Sequence, residues 1–312
     1  MRIPALRSKD LLSVTDLSRE EILRTFQLAA RLKADLKNRR PHRLLEGKTL
    51  AMIFEKTSTR TRVSFETGMF QLGGHALFLS SDDIQIGRGE TIADTARVLS
   101  RYVDGIMIRT FSHDTITELA RNAEVPVING LTDLFHPCQA LSDFFTIYER
   151  ENGFKGKKLA YVGDGNNMAH SLLQCAAILG MNISLACPRE YQPQSTVVGT
   201  AFQISSQMGS TIEVSSDINL AVQGADYLYT DVWVSMGQER EAARRKKIFA
   251  RYKITAGVLK KCADGCAVMH CLPAHRGEEI DSEVLDSKRS IVLDQAENRL
   301  HVQKALMCAL MR

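Results

Sequence analysis

An α/β architecture of two doubly wound parallel-sheet domains is predicted by three features of the sequence. Strand-length apolar runs alternate with helix-length amphipathic runs along the chain. A polar, glycine-containing segment, Glu149–Lys158, breaks the alternation near its middle. The length of 312 residues suits about two domains of roughly 150 residues.

The elements follow in order. Asp16-Leu17-Ser18-Arg19-Glu20-Glu21 supplies a cap and an acidic first turn for a helix over Ser18–Lys37 that no strand precedes. Strands are expected at Thr49–Phe54, His75–Leu79, Gly105–Ile108 and Pro126–Ile128. A second series is expected at Lys158–Val162, Asn182–Ala186, Thr211–Val214, Tyr227–Thr230 and Ala267–His270. Helices are expected between them over Thr61–Leu72, Thr91–Tyr102, Asp114–Ala123, Ala140–Arg150 and Ala169–Leu179. A last helix, about Gln295–Met311, closes the chain. The predicted domains are 1–148, joined by the final helix at about 295–312, and 149–294.

Composition excludes several classes. With 44% hydrophobic and 24% charged residues and no low-complexity tract, the chain is not a disordered one. A formal net charge of +4 is too small for a nucleic-acid binder and suits a small anionic substrate. The densest basic run, Arg244-Arg245-Lys246-Lys247, is expected to be the solvated face of a helix. Seven cysteines, no apolar core in Met1–Leu12 and no run of 18 apolar residues point to a reducing cytoplasm and no membrane. Cys262, Cys266, His270 and Cys271 cluster, but without a C-x-x-C pair and with a strand between them no zinc site is assigned.

Doubly wound sheets bind ligands beyond the carboxyl ends of their strands, so the informative residues should follow strands. After Phe54 comes Glu55-Lys56-Thr57-Ser58-Thr59-Arg60-Thr61-Arg62, leading into a helix. Hydroxyls, guanidinium forks and a helix N-terminus together describe a phosphate site. Arg109 ends another strand. Asn129-Gly130 is expected to turn the chain, and His136-Pro137-Cys138-Gln139 then opens a helix with proline in its first turn. Together these describe a pocket for a small, doubly charged ligand that carries a carbonyl. In the second half, Gly163-Asp164-Gly165-Asn166-Asn167 invites a dinucleotide reading. That reading fails at Met168, where the third glycine should stand, and at the missing acidic residue after the next strand. Asp231-Val232-Trp233-Val234-Ser235-Met236-Gly237 reads as a mobile binding loop, and His270-Cys271-Leu272-Pro273 follows the last strand.

Ser58-Thr59-Arg60-Thr61-Arg62, His136-Pro137-Cys138-Gln139 and His270-Cys271-Leu272-Pro273, in this order and spacing, resemble the signatures of the carbamoyltransferase family. The likeness spans essentially the whole chain. Asp231 and Ser235-Met236-Gly237 resemble its ornithine branch. The absence of a lysine between Ser80 and Glu90, with Arg88 before Gly89-Glu90-Thr91, departs from its aspartate branch. The resemblance implies two α/β domains with the active site in the cleft between them, trimers or multiples of trimers, and a cis Leu272–Pro273 bond. It implies transfer of a carbamoyl group from carbamoyl phosphate to the δ-amine of L-ornithine in arginine metabolism, biosynthesis before breakdown. The alternative is a different amine or amino acid, such as putrescine or aspartate. Neither metal nor organic cofactor is implied.

Roles follow by resemblance. Ser58, Thr59, Arg60, Thr61, Gln85 and Arg109 hold carbamoyl phosphate at the phosphate end. His136, Pro137, Cys138, Gln139, Cys271, Leu272 and Arg299 surround it toward the carbamoyl end. Asn167, Asp231, Ser235 and Met236 bind ornithine, and Arg109, His136, Cys271 and Asp231 carry the catalysis.

Overall fold

The computed structural model describes residues 3–81, 89–235 and 237–312. Two compact units divide the chain: Met1–Phe145 with Asn298–Arg312, and Thr146–Glu297.

The first unit opens on α1 (Arg19–Lys37), whose Ser18 and Glu21 form a reciprocal capping box. There follow β1 (Thr49–Phe54), α2 (Thr59–Gln71), β2 (His75–Ser80), α3 (Ile92–Leu99), β3 (Gly105–Arg109), α4 (His113–Asn122), β4 (Val127–Leu131) and α5 (Pro137–Glu151). The second contains β5 (Lys158–Val162), α6 (Asn167–Leu179), β6 (Asn182–Ala186), α7 (Ser195–Met208), β7 (Ile212–Ser215), α8 (Ile218–Val222) and β8 (Tyr227–Thr230). It continues with α9 (Ala242–Phe249), α10 (Ala256–Leu259), β9 (Ala267–His270) and α11 (Ser282–Leu285). Last comes α12 (Val292–Leu310), which crosses the division before Asn298.

Both sheets are parallel. The first has the order β2-β1-β3-β4 and the second β7-β6-β5-β8-β9. Strands covered on both faces read as continuous apolar runs, as in Leu50–Phe54, Gly105–Ile108 and Leu159–Val162, all of them buried. One face of the first sheet packs Ala51, Ile53, Ile106 and Ile108 against Ile116 and Leu119 of α4. In the second unit Val162, Leu228 and Val268 share a core with Phe249, Tyr252 and Ile254.

Element boundaries move where caps and packing override periodicity. Ser58 accepts from the Thr61 N–H, so α2 starts at Thr59, two residues before its expected start. Asn166 accepts from the N–H groups of Met168 and Ala169, so α6 starts at Asn167. Asn129-Gly130 does not turn the chain but lies within β4. A Cβ on Gly130 would collide with Met107 Sδ and come within 3.1 Å of the Ile108 carbonyl, and the β3–β4 register shifts beside it. The glycine serves a close strand approach.

Candidate active site

In each sheet the strand order reverses once, between β1 and β3 in the first and between β5 and β8 in the second. Crevices form at such reversals, and the candidate residues gather at both.

In the first unit Arg109 pairs in register with Phe54, so both strand ends release their chains together. The Glu55 N–H donates to the Arg109 carbonyl at 2.9 Å, and the Thr110 hydroxyl donates to the Glu55 carboxylate. Lys56, buried, pairs with Asp133 and lies 4.1 Å from the Phe111 ring centroid. These ties fix the loop that leads into α2. There the Ser58 hydroxyl donates to Thr61 Oγ1 at 3.1 Å, and Thr61 Oγ1 accepts from Arg299 Nη2 at 3.0 Å. Thr59 and Arg60 form the first turn of α2, where N–H groups lack helical partners and favour an anion.

His136 precedes Pro137, the first residue of α5, and is buried. Burial, then the charges of Arg299, Arg109 and Arg60, hold its pKa well below the ordinary imidazole value. Three guanidinium groups therefore surround a neutral ring. Gln139 Nε2 donates to Asp143 Oδ1 at 2.8 Å, which orients its amide. The Cys138 thiol, its pKa pushed by burial up to about 12, donates to the Asn129 carbonyl at 3.3 Å and so faces β4. Gln85 lies outside the described residues, as does Arg88.

In the second unit Asp231 follows β8 and is buried. Its Oδ2 accepts from Asn166 Nδ2 at 2.8 Å; its Oδ1 accepts from the Cys271 thiol and the Val232 N–H, each at 2.8 Å. Asn166, which the sequence reading passed over for Asn167, makes this contact, while Asn167 starts α6 beside it and is half-buried. The Asx-type cap of α6 was the available signal. The Leu272–Pro273 bond is cis, and Leu272 has φ 59°, a left-handed conformation that is uncommon for a leucine. The Ser235 N–H donates to Gln238 Oε1 at 3.0 Å within its own loop; Met236 lies outside the described residues.

The expected solvated face of Arg244-Arg245-Lys246-Lys247 needs correction. Arg245 is not solvated. It is 3% exposed, paired with Asp164, and donates from Nε to the Trp233 carbonyl at 2.6 Å. Arg244, Lys246 and Lys247 do face solvent. The helix turns one of four cations inward, against Tyr191 and Phe249. The Trp233 indole packs on Phe249 in the core. Asp164, pushed by burial up to about 6 against the pull of Arg245, belongs to the turn that follows β5. In that turn the Gly165 N–H donates to the Tyr191 carbonyl at 2.8 Å, and a Cβ on Gly165 would collide with the backbone of residues 191–193.

Among the described residues, Asp231, His270 and Cys271 bring possible metal-ligand atoms within 4.8 Å of one another, as do His275, Glu278 and Glu279. In the first group both ring nitrogens of His270 and the thiol of Cys271 have hydrogen-bond partners, so the geometry is closed by hydrogen bonds. Neither Cys262 nor Cys266 belongs to either group.

Comparison with known proteins places the chain among families and relatives. Residues 9–149 match the family described as aspartate/ornithine carbamoyltransferase, carbamoyl-P binding domain, and residues 155–310 match the Asp/Orn binding domain of the same family. A protein of Anoxybacillus flavithermus named ornithine carbamoyltransferase is 56% identical over 306 residues, 98% of each chain. One of Pyrococcus furiosus named "Ornithine carbamoyltransferase, anabolic" is 52% identical over 309 residues, 99% of this chain and 98% of its own. The solved structure of ornithine carbamoyltransferase from Pyrococcus furiosus superposes with a TM-score of 0.95 at 52% identity, covering 100% of this chain and 99% of that one. With both domains matched and relatives above half identity over nearly the full length, the chain belongs to the aspartate/ornithine carbamoyltransferase family.

Proposed function

We propose that the protein transfers the carbamoyl group of carbamoyl phosphate to the δ-amine of L-ornithine, giving L-citrulline and phosphate. The observation that carries this reading is an opposition of charge. Arg60, Arg109 and Arg299 converge on a neutral His136 in the first unit, and a buried carboxylate, Asp231, stands beside the Cys271 thiol in the second. A phosphate dianion suits the first, and the ammonium group of an amino acid suits the second.

The first turn of α2 takes the phosphate through its backbone N–H groups, Arg60 and the hydroxyls of Ser58, Thr59 and Thr61. Gln85 approaches the same anion, and Pro137 and Cys138 contribute the start of α5. As the amine attacks, charge grows on the carbamoyl oxygen. Arg109, His136 and the Thr61 hydroxyl stabilise it, each such donor being worth roughly 3–4 kcal/mol. A neutral His136 donates a hydrogen bond without giving up its proton. Gln139 and the Leu272 carbonyl hold the carbamoyl nitrogen. Asp231, with Asn167, Ser235 and Met236, binds ornithine, and Cys271 positions its Nδ. The departing phosphate accepts the amine proton. The transfer requires the two half-sites to face one another during turnover.

An amine of pKa ~10.4 is less than ~0.1% free base at pH 7, so the rate at subsaturating ornithine should climb across the neutral range. A flat profile from pH 6 to 9 would contradict this scheme. The test of the reaction itself is a colorimetric ureido assay. Citrulline formed from ornithine well above the products from putrescine, aspartate or lysine supports the reading, and product mainly from another amine would replace ornithine.

The name of the Pyrococcus furiosus relative supports a place in arginine biosynthesis. No described helix is long and apolar enough to cross a membrane, and a cytoplasmic location is proposed. So is a homotrimer or a multiple of trimers. It is supported by Val63 and Phe70 of α2 and Leu77 and Phe78 of the edge strand β2, which are exposed apolar residues. Light scattering on the purified protein tests the assembly.

A further inference from the structure

A buried acid–imidazole pair lies behind the Cys271–Leu272 turn. The Leu272 N–H donates to His270 Nδ1 at 2.9 Å. A backbone N–H can only donate, so Nδ1 must carry the lone pair and the ring proton sits on Nε2. That nitrogen faces Glu279 Oε1 at 3.2 Å, and both side chains are 0% exposed. Glu279 is itself anchored, because Oε1 also accepts from the His275 N–H at 2.5 Å. Burial pushes its carboxyl up, but the hydrogen bonds from His270 and the His275 backbone outweigh this and hold its pKa below the ordinary value. The His270 N–H donates to Gln295 Oε1 at 3.0 Å, so the ring is fixed at its backbone as well. A protonated Nδ1 would set two donors against each other at the turn.

We propose that Glu279 is a positioning residue that acts through His270. By fixing the proton on Nε2, it keeps Nδ1 an acceptor for Leu272, which holds the left-handed turn that aims the Cys271 thiol at Asp231 and the Leu272 carbonyl at the carbamoyl group. The inference rests on the carbamoyl-transfer reading for its kinetic arm and stands alone for its chemical one. Nothing in this arrangement requires Glu279 or His270 to touch a substrate. The pair resembles the outer partners that orient metal-bound or catalytic side chains elsewhere, here applied to a backbone N–H.

The test is a double-mutant cycle. Glu279→Ala should lower kcat about 100-fold, the usual scale for a small misplacement at a reacting centre, with smaller changes in KM for either substrate. His270→Asn supplies a side-chain oxygen that accepts from the N–H two residues on, as in an Asx turn, and should keep kcat within about fivefold of the wild type. In the His270→Asn background Glu279→Ala should change kcat less than about twofold, because its intermediary is gone. Equal losses from Glu279→Ala in both backgrounds would overturn the proposal, as would wild-type kcat in the single variant. If Glu279→Ala does not fold, Glu279→Leu, which also removes the acceptor, is read in the same cycle.

The chemical arm measures alkylation of Cys271 by iodoacetamide, followed on its own peptide by mass spectrometry. A release of the turn should raise the rate several-fold in Glu279→Ala and leave it near the wild-type rate in His270→Asn; unchanged reactivity in Glu279→Ala would overturn the proposal. A wild-type protein that forms no citrulline would defeat the carbamoyl-transfer reading instead, and this arm would still decide whether Glu279 holds the turn.

Discussion

The two half-sites are built on opposite principles. In the first unit the proposed functional groups stand on or beside regular elements: Arg109 at the end of β3, His136 just before α5, Gln139 in its first turn, and Arg299 on α12. Like charges are gathered there around His136, an arrangement that suits an anion. In the second unit one carboxylate, Asp231, lies on a loop and is satisfied by three donors. Order comes there from hydrogen bonds and from one buried ion pair, Arg245 with Asp164, placed behind the loop. Under the proposed function, a phosphate would be met by a nest of counter-charges, and an amino acid by a loop whose anchor sits elsewhere.

The sharpest way to break this comparison is to remove the anchor. Arg245→Met leaves the Asp164 carboxyl buried without its partner, and should cost about 3–5 kcal/mol in denaturant unfolding. A loss below about 1 kcal/mol would mean that the loop is held by packing alone. Next in size, Arg109→Ala should lower kcat/KM about 10²–10³-fold, or about 3–4 kcal/mol. Arg244→Ala, which removes only an exposed pair with Glu190, should leave kcat/KM nearly unchanged, and equal losses would take Arg109 off the catalytic list. Asp231→Ala should weaken ornithine by about 1.5–3 kcal/mol, the worth of hydrogen bonds to a charged group. Carbamoyl phosphate binding, followed by calorimetry, should hardly change; a matching loss there would show that the half-sites are not separable.

A pH-dependent effect lies in the first unit. Burial lowers the Lys304 ammonium to about 8, and its Nζ is 2.8 Å from Gln71 Oε1 and 2.9 Å from His42 Nε2. The folded state thus binds fewer protons than the unfolded one between about pH 8 and the ordinary lysine value of ~10.4. Stability from this group is present above that window and lost as the pH falls through it, with a slope of at most about 1.4 kcal/mol per pH unit. Melting curves should show the rise with pH, and Lys304→Met should flatten it.

Most of the fold could be read from hydrophobic periodicity, because parallel strands covered on both faces leave unbroken apolar runs. Lys158–Val162, Asn182–Ala186, Tyr227–Thr230 and Ala267–His270 fall where periodicity puts them. Helix starts were harder, since Ser58 and Asn166 act through side-chain oxygens that period counting ignores. Asn129-Gly130 misled because the same dipeptide serves a turn or a close strand approach, and only the neighbouring strand decides. The residues that should touch ligand were visible as chemistry at strand ends. Those that hold them were not. Arg245 looked like one of four equal cations, and Glu279 like one acid in Gly277-Glu278-Glu279. Their importance lies in partners that periodicity does not reveal, Asp164 for one and His270 for the other.

Gly165 shows how the same economy decides access. Dinucleotide-binding enzymes leave such a glycine bare so that a pyrophosphate can come near. Here the notch is already plugged by the chain's own main chain, with the Tyr191 carbonyl seated on the Gly165 amide. The socket that invites a cofactor is closed from within. The polar groups beside it are turned sideways, with Asn166 reaching toward Asp231. A glycine kept for the protein's own backbone thereby gives up the ligand that its motif would invite.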